Sequence, residues 1–331
     1  MEHPSDEQLR AFIQSPSTLN CPVTVQDLKN LRAIKGPCRV CLEGKPKPNK
    51  GTHSTNDAAS DPTQPGELLH GDIVFIKGKP RMFTTDHVTG YCTLNIMETK
   101  NVADVSAALE EVINAYRSYL KVVRRFSCDA ESVLGACRTH LNSLGVKLEM
   151  RVPGEHEKYA ERAMRVVRER MRVKLIELPY ALPRALYDAL AAEVIRTMNI
   201  LPNTKSFPLA PREMVRGDRV NVLTDISPPF GSAVLCPVAS ASHSTEQKQE
   251  VGVAVGVSDS TKAGVRVYLL NERNPVVRRG LKPMAMTEQV IDHMNDFARG
   301  IVDSRHVVFY VSLTGLFLFL TLRAVESRRW K

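Results

Sequence analysis

The 331-residue chain has no uncharged run long enough to cross a bilayer. Its longest, VVFYVSLTGLFLFLTL at 307–322, is 16 residues, short of the roughly 20 a membrane helix needs. It contains Gly315 and is rich in β-branched and aromatic residues. It reads as a docked or aggregation-prone tail, or as sequence foreign to the functional protein, ahead of a membrane anchor. No signal-peptide pattern opens the chain. The 7 cysteines, at 21, 38, 41, 92, 128, 137 and 236, are odd in number and mostly irregular in spacing. Together these features fit an intracellular reducing compartment better than a disulfide framework. No internal repeat is present, which excludes a solenoid or propeller.

What the chain does have is positive charge. Lysine and arginine outnumber aspartate and glutamate 45 to 36, giving a net charge of +9 and a pI near 9.2. An acidic partner is expected, nucleic acid first among them. Hydrophobic content of 43% and charged content of 24% are ordinary for a globular protein, so real cores are expected, and the length suits two or three domains.

Residues 46–67 are almost without apolar side chains and read as a linker between an N-terminal region, 1–45, and a dense pattern that follows. LLHGDIVFIK (68–77) predicts a buried strand. Residues 81–98 predict two strands around a turn near Thr89-Gly90. Val105, Leu109, Val112, Ile113, Tyr116 and Leu120 recur at helical spacing. Strands follow over 122–129 and 146–152, with a helix over 130–145 closed by Gly145. Helices over about 156–177 and 182–199 complete the order β-β-β-α-β-α-β-α-α, which predicts an α/β fold with a mixed sheet and helices on its faces. VGVAVGV (251–257) and VRVYL (265–269) alternate strictly and predict half-buried strands in a small β-barrel or sandwich between about 213 and 288. A helical and apolar tail, 289–331, has no assigned role.

Asp72 interrupts an apolar strand, where an unpaired carboxylate is expensive. Asp129 ends another strand, where ligand sites of α/β sheets gather. If those strands are neighbours, the two acids share one metal ion, and a helix across the sheet brings Glu161 to a second. Converging carboxylates suit Mg²⁺, and paired ions suit phosphoryl transfer. Glu155 and Glu157 compete for the third role and Asp86 for the first.

The pieces HGDIVF, SCDAES and KYAERAMRVVRER, in that order, resemble the D…D…E core of the integrases of copia-type LTR retrotransposons. HPSDEQL…CRVCLEGK resembles the zinc-binding pre-integrase region of the same elements. The resemblance covers roughly residues 3–205, with a weaker match through the C-terminal β module. It implies a ribonuclease H-like core over 68–205 with a five-stranded sheet. It also implies Asp72, Asp129 and Glu161 as catalytic ligands of Mg²⁺ or Mn²⁺, DNA as partner, homo-oligomers and a nuclear location. The chain departs from the family where Ala130-Glu131 follow Asp129 in place of Asn-Gly, and where HEKYAE stands before the glutamate.

Between 158 and 174 seven Lys/Arg face two Glu, a local charge of +5. Glu161, Arg165, Arg168 and Arg172 share one helical face. The bland reading is a solvated face with a Glu161–Arg165 ion pair. The functional one gives Arg165 and Arg168 to phosphates beside a metal-held Glu161, with little base preference and steep salt dependence. Cys38-x2-Cys41 is a zinc half-site, with His3 as third ligand and Cys21 as a substitute that no motif supports. The family supplies a further histidine ahead of the one matched by His3. The resemblance therefore implies a truncated zinc region and a fragment of a longer polyprotein. The expected function is 3′-end processing and strand transfer of element DNA. A catalytically inactive DNA-binding relic is the alternative, and a ribonuclease H-type hydrolase a third.

Overall fold

The computed structural model describes residues 3–36, 38–44, 62–151, 157–226, 228–238, 248–258, 261, 263–270, 275–300, 312–314, 316–321 and 323. Most of the expected linker, Glu155, and much of the segment 307–322 lie outside the described residues. No helix among the described residues is long and apolar enough to cross a membrane. The described part of that segment is helical, and Leu316 to Leu320 are exposed.

The N-terminal region holds α1 (Asp6–Gln14), β1 (Thr18–Leu19), α2 (Val25–Lys35) and α3 (Arg39–Gly44). Both longer helices open on capping boxes, Ser5 with Gln8 and Thr24 with Asp27. The central domain then runs β2 (Leu68–Ile76), β3 (Lys79–Asp86), β4 (Cys92–Ile96), α4 (Val102–Ser118), β5 (Arg125–Cys128), α5 (Ser132–Ala136), α6 (Arg138–Ser143), β6 (Lys147–Met150), α7 (Lys158–Glu177) and α8 (Tyr187–Ile200). The sheet order is β4-β3-β2-β5-β6. β3 is antiparallel to both its neighbours, while β2, β5 and β6 are parallel. This mixed five-stranded sheet with helices on both faces is the ribonuclease H-like arrangement that the resemblance implies.

The strand pattern explains the layering. Leu69, Ile73, Met82, Phe126, Cys128 and Leu148 face α4, α5 and α6. Val74, Ile76 and Phe83 face Ala160, Met164 and Val167 of α7 and Leu190 and Val194 of α8. Each such buried side chain contributes about 1.5–3 kcal/mol. Arg81, 1% exposed, is the most deeply buried arginine among the described residues and lies in the wall of the second layer. Its guanidinium is satisfied by Asp188 on α8 at 2.6 and 2.9 Å and by the carbonyls of Pro80 and Met97, so it ties β3 to α8.

Three local expectations are corrected. The single helix over 130–145 is two short helices meeting at Cys137. Its closing glycine is as expected, with Gly145 at φ +74°. The module expected from 213 begins later. α9 (Pro211–Arg216), β7 (Val220–Asn221) and α10 (Val222–Asp225) come first, and β7 pairs in parallel with β1 of the N-terminal region. The antiparallel sheet proper is β8 (Ala233–Pro237), β9 (Gln249–Val257), β10 (Val265–Leu269), β11 (Val276–Arg278) and β12 (Lys282–Pro283), in the order β11-β10-β9-β8-β12. Finally, β9 is not half-buried. Gly252 to Val257 are all buried, because Val253 and Val255 pack into the α7/α8 core while Ala254 belongs to the module's own core. Alternation of valine with glycine and alanine here reflects two apolar faces of different depth. α11 (Glu288–Arg299) closes the second layer through Val290 and Met294.

Candidate active site

β2 and β5 are neighbours in parallel register, with His70 opposite Ser127 and Gly71 opposite Cys128. The next residues on the two strands are Asp72 and Asp129. Side chains alternate along a strand, so residues 70 and 72 on β2, and 127 and 129 on β5, turn away from the α4 side and toward α7. The structure thus brings two of the three expected carboxylates together at the end of β5.

Burial, then the negative charges of Asp129 and Glu131, push the Asp72 carboxyl above its ordinary value, and the Ile73 amide and Arg168 only partly offset them. The thiol of Cys128, behind the pair, is pushed up to about 12 by burial and by Asp129, Glu157, Asp72 and Glu131. Glu131 was absent from the expected set, although its place two residues after Asp129 is plain in SCDAES. It is paired with Lys100, yet its Oε2 is buried without a hydrogen-bond partner. A cluster of three acids, with the Asp72 carboxyl raised and a buried Glu131 oxygen without a hydrogen-bond partner, fits a hard divalent cation, whose charge would offset the crowding.

Glu157, a competitor for the third carboxylate, has another role. Its main-chain N–H donates to Oδ1 of Asp129. Its carboxylate is buried and accepts from Ser127 Oγ at 2.5 Å and Arg151 Nε at 3.2 Å, with His70 Nδ1 at 3.0 Å. Burial alone would raise its pKa, but the His70 contact and charge, Ser127 and Arg151 outweigh it and bring the group down to about 2. Behind it His70 Nε2 meets His87 Nδ1 at 2.8 Å, and Tyr159 packs on both rings. With its oxygens held by protein donors, Glu157 positions Asp129 from underneath. Period-two spacing from Asp72 to His70 and from Asp129 to Ser127 was the signal for this network. Asp86, the other competitor, caps the β3–β4 turn by accepting from Gly66 N, Thr89 N and Thr89 Oγ1 at 2.8, 2.8 and 2.6 Å.

Glu161 lies one turn into α7. Its side chain is 55% exposed and is 3.3 Å from Arg165. Asp72, Asp129 and Glu161 do not draw their oxygens within 4.8 Å of one another as a trio; among the described residues, that closeness belongs to His3, Cys38 and Cys41. The expected α7 face is as read. Glu161, Arg165, Arg168, Glu169 and Arg172 line one open groove.

The N-terminal group is well formed. His3 Nδ1 is 3.5 Å from the sulfurs of both Cys38 and Cys41. The Cys38 thiol lies below its ordinary value, because hydrogen bonds from Cys41 and His3 outweigh the rise from burial, which favours the thiolate that zinc needs. Three soft and borderline donors within reach of one centre fit zinc. Cys21 stands apart, its thiol directed to the Val23 carbonyl at 3.4 Å.

No protein-family model matches the chain, and no curated protein matches it by sequence. Solved structures similar in shape include three that are integrase proteins. The first is an intasome of simian T-cell lymphotropic virus in complex with PP2A regulatory subunit B56 gamma. Identity is 12%, with 86% of this chain and 100% of that chain covered, at a TM-score of 0.41. The second is the catalytic core domain of BIV integrase, at 14% identity, 45% and 93% coverage and a TM-score of 0.36. The third is the HTLV-2 integrase catalytic core with magnesium, in a trimeric form, at 14% identity, 46% and 97% coverage and a TM-score of 0.37.

Proposed function

We propose that the chain is a divalent-cation-dependent polynucleotidyl transferase of the integrase type, acting on DNA. The observation that carries this reading is the carboxylate pair, Asp72 beside Asp129 on adjacent parallel strands, near an α7 face that carries Arg165, Arg168 and Arg172 beside Glu161 and Glu169. A hard cation and a polyanion are the two ligands that such a pairing of charges accepts.

In this reading Asp72 and Asp129 hold Mg²⁺ or Mn²⁺, with Glu131 adding to the field and Glu161 as the third ligating carboxylate. The ions supply activation of an attacking oxygen and neutralisation of a leaving one. Glu157 keeps Asp129 in place through its amide. Arg165 and Arg168 would hold phosphates on either side of the reacting one, and Glu161, now beside Arg165, would be the third carboxylate available to an ion. In 3′-end processing water attacks phosphorus and the P–O3′ bond breaks, leaving a free 3′-hydroxyl. In strand transfer that hydroxyl attacks a target phosphodiester and expels the target's own 3′-oxygen. His3, Cys38 and Cys41 hold zinc. Oligomeric assembly and a nuclear location belong to the same proposal.

An inactive DNA-binding relic is the second reading, favoured by Glu161 being engaged with Arg165 and by Glu131 in place of a neutral residue. A duplex carrying an element end, incubated with Mg²⁺, separates the two. Cleavage and joining that vanish in Asp129→Asn support the enzyme. DNA binding without either reaction, in the wild type, supports the relic.

A further inference from the structure

We infer that Glu177 is the positioning residue of the N-terminal metal site, and that through it metal loading is transmitted to α7, the helix that carries Glu161 and the arginine groove. The inference deepens the zinc assignment above and rests on it; it does not require the chain to be catalytically active.

The two nitrogens of His3 point to different partners. Nδ1 faces the sulfurs of Cys38 and Cys41, whereas Nε2 lies 3.1 Å from Oε2 of Glu177. The nitrogens sit on opposite sides of the ring, so Glu177 is not a candidate for the fourth ligand of the same ion. It is placed to take the Nε2 hydrogen. That fixes the tautomer whose Nδ1 lone pair is free to ligate, and it fixes the plane of the ring. The backbone of His3 is itself in the left-handed region, at φ +48°, a conformation that a residue with a β-carbon adopts rarely. The chain accepts it where it delivers the ring between the thiols and the carboxylate.

Glu177 is the last residue of α7 and is anchored there by Lys174 at 2.8 Å. The same helix receives the rest of the N-terminal region. Gly44, at the end of α3, lies so close to Val173 that an added β-carbon would stand 2.5 Å from its Cγ2 and 3.1 Å from its Cα. The Gly44 carbonyl accepts from Arg172 at 3.1 Å, and Arg170 reaches Gln8 at 2.9 Å. Cys38, Cys41 and Gly44 belong to one short stretch, so an ion that gathers His3 and the two cysteines also holds α3 against Val173. The metal thereby clamps the C-terminal end of α7 from two sides, while Glu161, Arg165 and Arg168 lie in the helix's first eleven residues. A lone exposed ion pair contributes little to stability; the effect proposed is on the orientation of the ring and the order of the helix.

The test uses the full chain with Zn²⁺, and with Co²⁺ as a spectroscopic probe, titrated against a chromophoric chelator. Glu177→Ala should bind metal roughly 10–100-fold more weakly than wild type. Glu177→Gln, which keeps the size and an acceptor oxygen, should fall between them. The thiolate-to-cobalt absorption should persist in both variants, since the cysteines still ligate. Hydrogen exchange should show the amides of residues 170–177 losing protection when the wild type is stripped of metal. In Glu177→Ala those amides should exchange fast with or without it. Equal metal affinity in wild type and both variants, with His3→Ala weakened, overturns the role of Glu177 and leaves the metal site standing. A wild type that takes up neither ion overturns the site and the inference together. Exchange of 170–177 that is indifferent to metal overturns the link to α7.

Discussion

The main-chain amide of Glu157 donates to the carboxylate of Asp129, and the Glu157 side chain is buried beneath the same pair among Ser127, His70 and Arg151. One residue thus holds a site acid with its backbone and is itself held by three side chains. Removing a partner from a buried charge cluster costs about 3–5 kcal/mol. Glu157→Ala should lower the unfolding free energy measured in urea by that amount. A loss of under about 1 kcal/mol would mean the group is solvated and positions nothing.

The same residue sets an acid limb. Its pKa falls from 4.5 to about 2 on folding, so the unfolded chain binds the proton more readily. Its stabilisation is complete above 4.5 and is lost as pH falls from there toward 2. Unfolding measured across that window should flatten in Glu157→Gln relative to wild type.

Asp72 behaves in the opposite sense. Its pKa is raised in the folded state by burial and by Asp129, so stability falls as pH climbs from the unfolded value through the folded one. Asp72→Asn should therefore melt higher than wild type at neutral pH without divalent ions. Mg²⁺ should raise the melting temperature of the wild type, by about 2.7 kcal/mol of stability at a hundredfold excess over Kd, and leave Asp72→Asn unmoved. Equal responses to Mg²⁺ would place the ion elsewhere.

Arg165 and Arg168 should act through phosphates. Each change to glutamine should weaken binding to unrelated duplexes alike and reduce the slope of log K against log salt by about 0.9. Fluorescence anisotropy at several salt concentrations measures both. A loss confined to one base sequence would contradict the assignment.

Arg81 and Asp188 test the scaffold apart from the site. Asp188→Asn leaves the guanidinium of Arg81, 1% exposed, without its counter-charge and should cost about 3 kcal/mol in denaturant unfolding. Little change would mean that the carbonyls of Pro80 and Met97 suffice.

The layers of the central domain were legible because periodicity alone specifies them. The run Leu68–Ile76 and the helical spacing from Val105 to Tyr116 each have one solution. The two aspartates were candidates among several acids until the family resemblance singled them out, and the structure sets their strands side by side. What escaped the sequence depends on contacts between distant segments. His3 and Glu177 are 174 positions apart, and no pattern announces that they meet. Glu157 read as a competitor for the third carboxylate because its partners, His70 and Ser127, come from two strands distant in sequence. β9 looked half-buried because alternation does not reveal that a second core, through Val253 and Val255, covers its other side.

The central claim is that Asp72 and Asp129 hold the divalent ions that drive DNA strand chemistry. Strand transfer from a labelled duplex end, followed in Mg²⁺ with wild type and Asp129→Asn side by side, tests it most directly. Wild type should give joined product and the variant none, with unchanged duplex binding by both. Equal product from the two proteins would contradict it.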